Sequence, residues 1–173
     1  MDQVFIGLGS NIGDGKAILA AAWRRIGEIA GVETVSLSHP YASAPVGMDS
    51  PHWFTNAVGW LRDTGGPRQL LDTLMQIEAQ FGRERKSDRQ GYEDRSLDLD
   101  ILFYGDHAMN EPDLIIPHPC ISSRLFVLRP LAEIAPDFLS VASHKTAGEM
   151  EEALVEQMVQ GTVPLQELQR LDW

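Results

Sequence analysis

Two aspartates, Asp98 and Asp100, sit one residue apart in the run Arg95 to Phe103, RSLDLDILF. In a β-strand, positions i and i+2 point the same way, so the two carboxylates share a face about 7 Å apart by strand rise. Leu97, Leu99 and Ile101 take the other face. Like charges so placed repel, and each is costly near a core unless something cationic compensates. A hard divalent cation, Mg²⁺ above all, suits such a pair, because it leaves coordination positions for water and phosphate oxygens. The competing reading is a solvated edge-strand face. The alternation then stops, and Ile101, Leu102 and Phe103 run apolar without a break.

Other residue types point to anions and flat rings. Of the 14 basic residues, Arg83, Arg85, Lys86, Arg89 and Arg95 crowd into one stretch, as an acidic protein holding a polyanionic small molecule would need. The interspersed Glu84, Asp88, Glu93 and Asp94 keep a plain solvated loop in play. In Ile116-Pro117-His118-Pro119, prolines brace His118 in a rigid extended backbone. His118 and, further on, Arg124 can both donate hydrogen bonds to phosphates, the arginine in a bidentate manner. In Tyr41 to Asn56, YASAPVGMDSPHWFTN, Phe54 and Asn56 share a strand face. An aromatic plane beside an amide suits a heterocycle with a hydrogen-bonding edge, and a core Phe with a strand-end Asn is the plainer account. The N-terminal GLGSNIG looks like a degraded dinucleotide fingerprint with the wrong spacing, which a tight strand-to-helix turn explains more simply.

The elements that position these groups follow from periodicity. Residues 3–9 read as a buried strand, and a helix follows with Asp14 near its N-cap and Ile18, Leu19, Ala22, Ile26 and Ile29 on one face. Residues 32–41 alternate as a strand up to Pro40, 42–53 form a Pro- and Gly-containing loop, and 54–62 return to strand character. Pro67 opens a helix over 67–81 with the stripe Leu70, Leu71, Leu74, Ile77 and Phe81, stopped by Gly82. A basic loop, 83–94, leads into a strand over 96–104. Residues 107–116 are a short excursion and return strand closed by Pro117, and helices near 125–134 and 146–159 complete the pattern. Interleaved strands and helices predict a sheet with helices packed on it.

Composition bounds the rest. A chain of 173 residues with 43% hydrophobic and 23% charged residues is expected to be one domain with a sizeable core. The opening MDQVFIGLGS reads as no signal peptide, and no window approaches a membrane span. The single cysteine, Cys120, rules out an internal disulfide, making a reducing cytoplasm the natural compartment, and it reads as a packing residue rather than a nucleophile. A net charge of −11 argues against nucleic acid and anionic membranes as partners.

The signals occur together and in one order: FIGLGSNIGD, then Y-x-S-x-P-x-G and FTNAV, GRER before RSLDLDIL, and IPHP before RLFVLRPLAEIAP. In that combination the chain resembles the 6-hydroxymethyl-7,8-dihydropterin pyrophosphokinase family over roughly residues 3–138. The resemblance implies a ferredoxin-like α+β fold in αβα layers with a largely antiparallel sheet. It implies diphosphate transfer from ATP to the pterin hydroxymethyl group with release of AMP, by a cytoplasmic monomer acting on small molecules in folate biosynthesis. By the same resemblance, Asp98 and Asp100 hold two Mg²⁺ ions, and Arg83 and Arg95 are catalytic with them, on or beside mobile loops that close over the triphosphate. Arg85, Glu78, Ile101, His118 and Arg124 fall in the nucleotide set. Phe54 and Phe126 match the rings that sandwich the pterin, Asn56 the amide reading its edge, and Ser43, Ala44 and Val46 the lining loop.

The chain departs from the pattern at Met75, a position often glutamine, at Pro119, one sometimes tyrosine, and most of all in the loop before Arg95. Many relatives read R-W-G-P-R, where this sequence has Arg89-Gln90-Gly91-Tyr92-Glu93-Asp94-Arg95, leaving Tyr92 or nothing in the place of the capping tryptophan. A pterin- or nucleotide-binding paralogue without efficient transfer is therefore an alternative. A dinucleotide-dependent reductase built on GLGSNIG is another.

Overall fold

A computed structural model describes residues 1–46, 50–82 and 95–173. The first strand, β1 (Asp2–Ser10), leads into helix α1 (Gly15–Gly27) through a turn in which Gly13 has a φ of 82°. Asp14 caps α1, its carboxylate accepting from the Ala17 N–H at 3.1 Å, and the helix buries Leu19, Ala22 and Ile26. The expected strand over 32–41 is two strands, β2 (Val32–Leu37) and β3 (Tyr41–Ser43), laid end to end along the same edge of β4 (Phe54–Asp63). Pro40, which has no N–H for the ladder, falls in the gap. The loop expected over 42–53 thus begins later, since Ala42 and Ser43 still pair with Thr55 and Phe54.

Helix α2 (Pro67–Gln80) precedes β5 (Asp98–Tyr104), and a separate hairpin of β6 (Met109–Glu111) and β7 (Leu114–Ile116) stands for the excursion at 107–116. Helix α3 (Leu125–Ile134), a two-residue ribbon of β8 (Leu139–Ser140) and β9 (Lys145–Thr146), and helix α4 (Ala147–Val159) follow. Thr146 and Glu149 close a reciprocal capping box on α4. Three strands have no counterpart in the sequence reading: β8 and β9 of the ribbon, and β10 (Leu168–Arg170), which pairs with β3.

Among the described residues the main sheet has six strands, in the order β10-β3-β4-β1-β5 with β2 also on β4, and its pairings are antiparallel. Taking β2 and β3 as one edge, β1-α1-β2/β3-β4-α2-β5 is a split βαβ repeat with β4 and β1 central, the ferredoxin-like arrangement. Helices α1 and α2 cover one face, over Val4, Ile6, Leu8, Leu99 and Ile101. Helices α3 and α4 cover the other, over Phe5, Val58, Leu102 and Phe103. The result is the expected αβα layering.

The apolar run after the aspartates contains a register shift. Phe5 pairs with Phe103 but Ile6 pairs with Ile101, so Leu102 has no partner on β1. This bulge turns Leu102 and Phe103 toward the same core, while Ile101 and Tyr104 face the α1/α2 side. Both faces of the sheet are covered here, so each residue of the run is apolar whichever core it enters.

Candidate active site

A cleft opens on the α3 face of the sheet, where β1 carries two glycines in place of side chains. Phe5 lies in the α3/α4 core, and Gly7 and Gly9, two and four residues on, continue along the same face as the cleft floor. A Cβ on Gly9 would stand 3.3 Å from Asn56 Oδ1, and one on Gly7 would stand 3.5 Å from Leu102. GLGSNIG is therefore not a dinucleotide fingerprint here. Its first two glycines lie within an antiparallel strand rather than at a parallel βαβ turn, and only Gly13 adopts positive φ.

One wall is built by β3 and β4. Ser43, Ala44, Val46, Phe54 and Asn56 line it. Asn56 is buried, and its Nδ2 donates to Ser43 Oγ at 2.9 Å, which fixes the amide's orientation. The opposite wall is the start of α3. There Arg124, the extended residue before the helix, holds its guanidinium 5.6 Å from the centre of the half-buried Phe126 ring, and both line the cleft.

Asp98 and Asp100 project into the mouth from β5, on the face expected. Arg95 also lines the cleft and its guanidinium lies 2.5 Å from Asp98 Oδ2. Its backbone is anchored at both ends by Asn11, which accepts from the Arg95 N–H at 2.6 Å and donates its own N–H to Arg95 O at 3.0 Å. Burial, and next the charge of Asp98, push the Asp100 carboxyl up to about 6, with Arg124 opposing. The pair is thus held together against its own repulsion. Two hard oxygen donors at an open mouth fit a divalent cation that takes its remaining ligands from water and substrate. Among the described residues no third His, Cys, Asp or Glu joins them as a metal-binding cluster.

Three expected residues stand outside the cleft lining. His118 lies close enough for Arg124 and Asp98 to act on it electrostatically. Burial first, then Arg124, hold its imidazole below the ordinary histidine value, and Nδ1 accepts from the Cys120 N–H at 3.2 Å, so the ring proton sits on Nε2. Glu78 is buried on α2 behind the sheet. The Ile101 side chain packs in the α1/α2 core, so only its main chain could meet a ligand. Arg83, Arg85 and Tyr92 lie outside the described residues. Sequence reasoning missed Gly7, Gly9 and Leu102 as lining and Asn11 as an anchor. Reading β1 by alternation from Phe5 would have found the glycines.

The fold and cleft define an α+β protein in which a wall carrying Phe54 and Asn56 adjoins a mouth lined by Arg95, Asp98, Asp100 and Arg124. Residues 5–136 match the model of the family described as 7,8-dihydro-6-hydroxymethylpterin-pyrophosphokinase, and the chain belongs to that family. It is 42% identical over 141 residues to the 2-amino-4-hydroxy-6-hydroxymethyldihydropteridine pyrophosphokinase of Synechocystis sp., covering 82% of this chain and 70% of that one. The protein of the same name from Methylorubrum extorquens is 37% identical over 139 residues, covering 80% of this chain and 86% of the relative. Among solved structures, an HPPK-DHPS in complex with substrates superposes with a TM-score of 0.74 at 13% identity, over 98% of this chain and 47% of that one. Plasmodium falciparum HPPK-DHPS with pteroate gives 0.72 at 13% identity, over 94% and 44%. This chain therefore spans less than half of those longer chains, and at such identity the likeness concerns the fold.

Proposed function

We propose that this chain transfers a diphosphate group from ATP to the hydroxymethyl group of 6-hydroxymethyl-7,8-dihydropterin, releasing AMP; its relatives are named as pyrophosphokinases of that pterin. The observation that carries the reading is the single cleft in which a ring-and-amide pocket, Phe54, Asn56 and Phe126, adjoins an acidic pair, Asp98 and Asp100. The amide fixed by Ser43 reads the pterin edge, and the two phenylalanines offer ring faces to the heterocycle. Gly7 and Gly9 leave the floor bare enough for a flat ligand to lie against the sheet.

Arg124 and Arg95 meet the phosphates, and His118 donates through Nε2. Asp98 and Asp100 hold two Mg²⁺ ions, which when bound neutralise phosphate charge. The substrate hydroxyl attacks the β-phosphorus in line and AMP leaves. The chain contributes positioning and fixed charge rather than a protein nucleophile. Arg83 and Arg85 are proposed to act with them from the segment before Arg95, Glu78 as a support behind the nucleotide, and Ile101 through its main chain. We place the reaction in one domain of a cytoplasmic monomer. Two cores sharing one sheet support the single domain, and a net charge of −11 argues against nucleic acid as a partner. Among the described residues no helix is long and apolar enough to cross a membrane.

Incubation with Mg-ATP and 6-hydroxymethyl-7,8-dihydropterin tests the reading. AMP and the pterin diphosphate are expected; ADP alone, or no pterin-dependent AMP, overturns it. Tight nucleotide binding with negligible AMP release would instead identify a binding paralogue.

A further inference from the structure

The two walls of the cleft are joined from outside by a segment that the sequence reading left unassigned. Arg124 is a single extended residue, φ −118° and ψ 103°, between a 3₁₀ turn (Ile121–Ser123) and α3. The Arg124 main chain holds its own bonds, its N–H donating to Ile121 O at 3.2 Å and its carbonyl accepting from the Val127 and Leu128 N–H groups at 3.1 and 3.0 Å. As the N-cap of α3, Arg124 has no side-chain oxygen with which to cap the helix, and the Ser123 hydroxyl is directed back to Cys120 O at 3.1 Å. The missing cap comes from far along the chain. Gln166 Oε1 accepts from the Leu125 N–H at 2.9 Å, and its Nε2 donates to Ser123 O at 2.8 Å. One planar amide thus bonds the residue on each side of Arg124. The next residue ties the same segment to the opposite wall: Glu167 O accepts from the Ala44 N–H at 3.3 Å, and Leu168 pairs with Ser43.

We propose that Gln166 is a positioning residue for the transfer reaction, fixing the angle at which Arg124 enters the cleft. This rests on the reading of Arg124 as a phosphate-binding group. The amide acts as a two-point clamp, adding one bond on each side of Arg124 to those that the Arg124 main chain makes itself. Phe126 is less dependent on it, since the ring is also held by packing in the α3/α4 core. The clamp therefore bears on nucleotide binding more than on pterin binding.

The test uses the full chain, with affinities for Mg-ATP and for 6-hydroxymethyl-7,8-dihydropterin measured separately by calorimetry. Gln166→Met keeps the length and loses both bonds. It is expected to weaken ATP binding about five- to tenfold, the size of one or two lost hydrogen bonds. Pterin affinity should stay within about twofold. Gln166→Glu, which keeps the acceptor for Leu125 and loses the donor to Ser123, is expected to fall between Met and wild type, and it carries the test should the Met variant fail to fold. In an Arg124→Ala background the Gln166 substitutions are expected to cost nothing further. Equal losses in both backgrounds, equal losses for both ligands, or unchanged ATP affinity in both variants would overturn the positioning role. Failure of the wild-type chain to bind ATP at all would overturn the functional reading itself, a separately visible result.

Discussion

Glu78 accepts the main-chain N–H of Leu99 at 2.8 Å, and Leu99 is the residue between the two cleft aspartates. A carboxylate that is 1% exposed on α2 thus grips β5 from behind at the point where Asp98 and Asp100 project forward. Removing the acceptor strands a buried N–H. Glu78→Leu is therefore expected to destabilise the chain by about 2–3 kcal/mol, and Glu78→Gln, which keeps an acceptor of equal reach, by less than about 1 kcal/mol. Urea unfolding of the two variants checks this. Equal losses would mean that the bond to Leu99 does not set the cost.

Asp100 makes the ligand-free chain sensitive to pH in a stated direction. Its folded value of about 6 lies above the ordinary 3.8, so the stabilising contribution is complete below the ordinary value and is lost as pH rises through 6. Asp100→Asn cannot lose it. The variant is expected to match wild type near about pH 4 and to be more stable by about 1–3 kcal/mol above about pH 6.5, while diphosphate transfer collapses. Denaturant titrations at the two pH values, beside an AMP-release assay, measure both effects. A variant less stable than wild type at neutral pH would contradict the strain assigned to the pair.

His118 is expected to be neutral at pH 7, with its proton on Nε2. Because its folded value is depressed, its contribution to stability is present above the ordinary 6.5 and is lost as pH falls through the folded value. Nitrogen-15 spectra of the labelled histidine report both tautomer and titration. A ring protonated at neutral pH would contradict the placement.

Gly9→Ala tests the bare cleft floor. The new methyl would crowd the Asn56 amide oxygen from 3.3 Å, in a strand whose backbone tolerates alanine. KM for the pterin is expected to rise about tenfold with little change in ATP affinity. An unchanged pterin KM would remove Gly9 from the floor of the site.

The local elements were legible because each is dictated by near neighbours. The leucine stripe and Pro67 specify α2, Asp14 and the apolar positions after it specify α1, and strand alternation put Asp98 and Asp100 on one face. The order of the motifs carried the family and hence the αβα layering. What stayed hidden depends on residues distant in sequence. The break at Pro40 reads as a strand end, yet β4 is long enough to pair both pieces. The glycines of GLGSNIG resemble a phosphate turn until the antiparallel partners of β1 make them a floor. The bulge at Leu102 exists only relative to β1, and the bonds of Gln166 to Ser123 and Leu125 span 43 and 41 positions. Periodicity records which face of an element is apolar; what that face meets is decided by pairing and closure across the chain. The sequence by itself therefore determined the reacting groups and their likeness to a family. The tertiary structure decided which of them share one cleft, what holds their angles, and that Ile101 turns its side chain away.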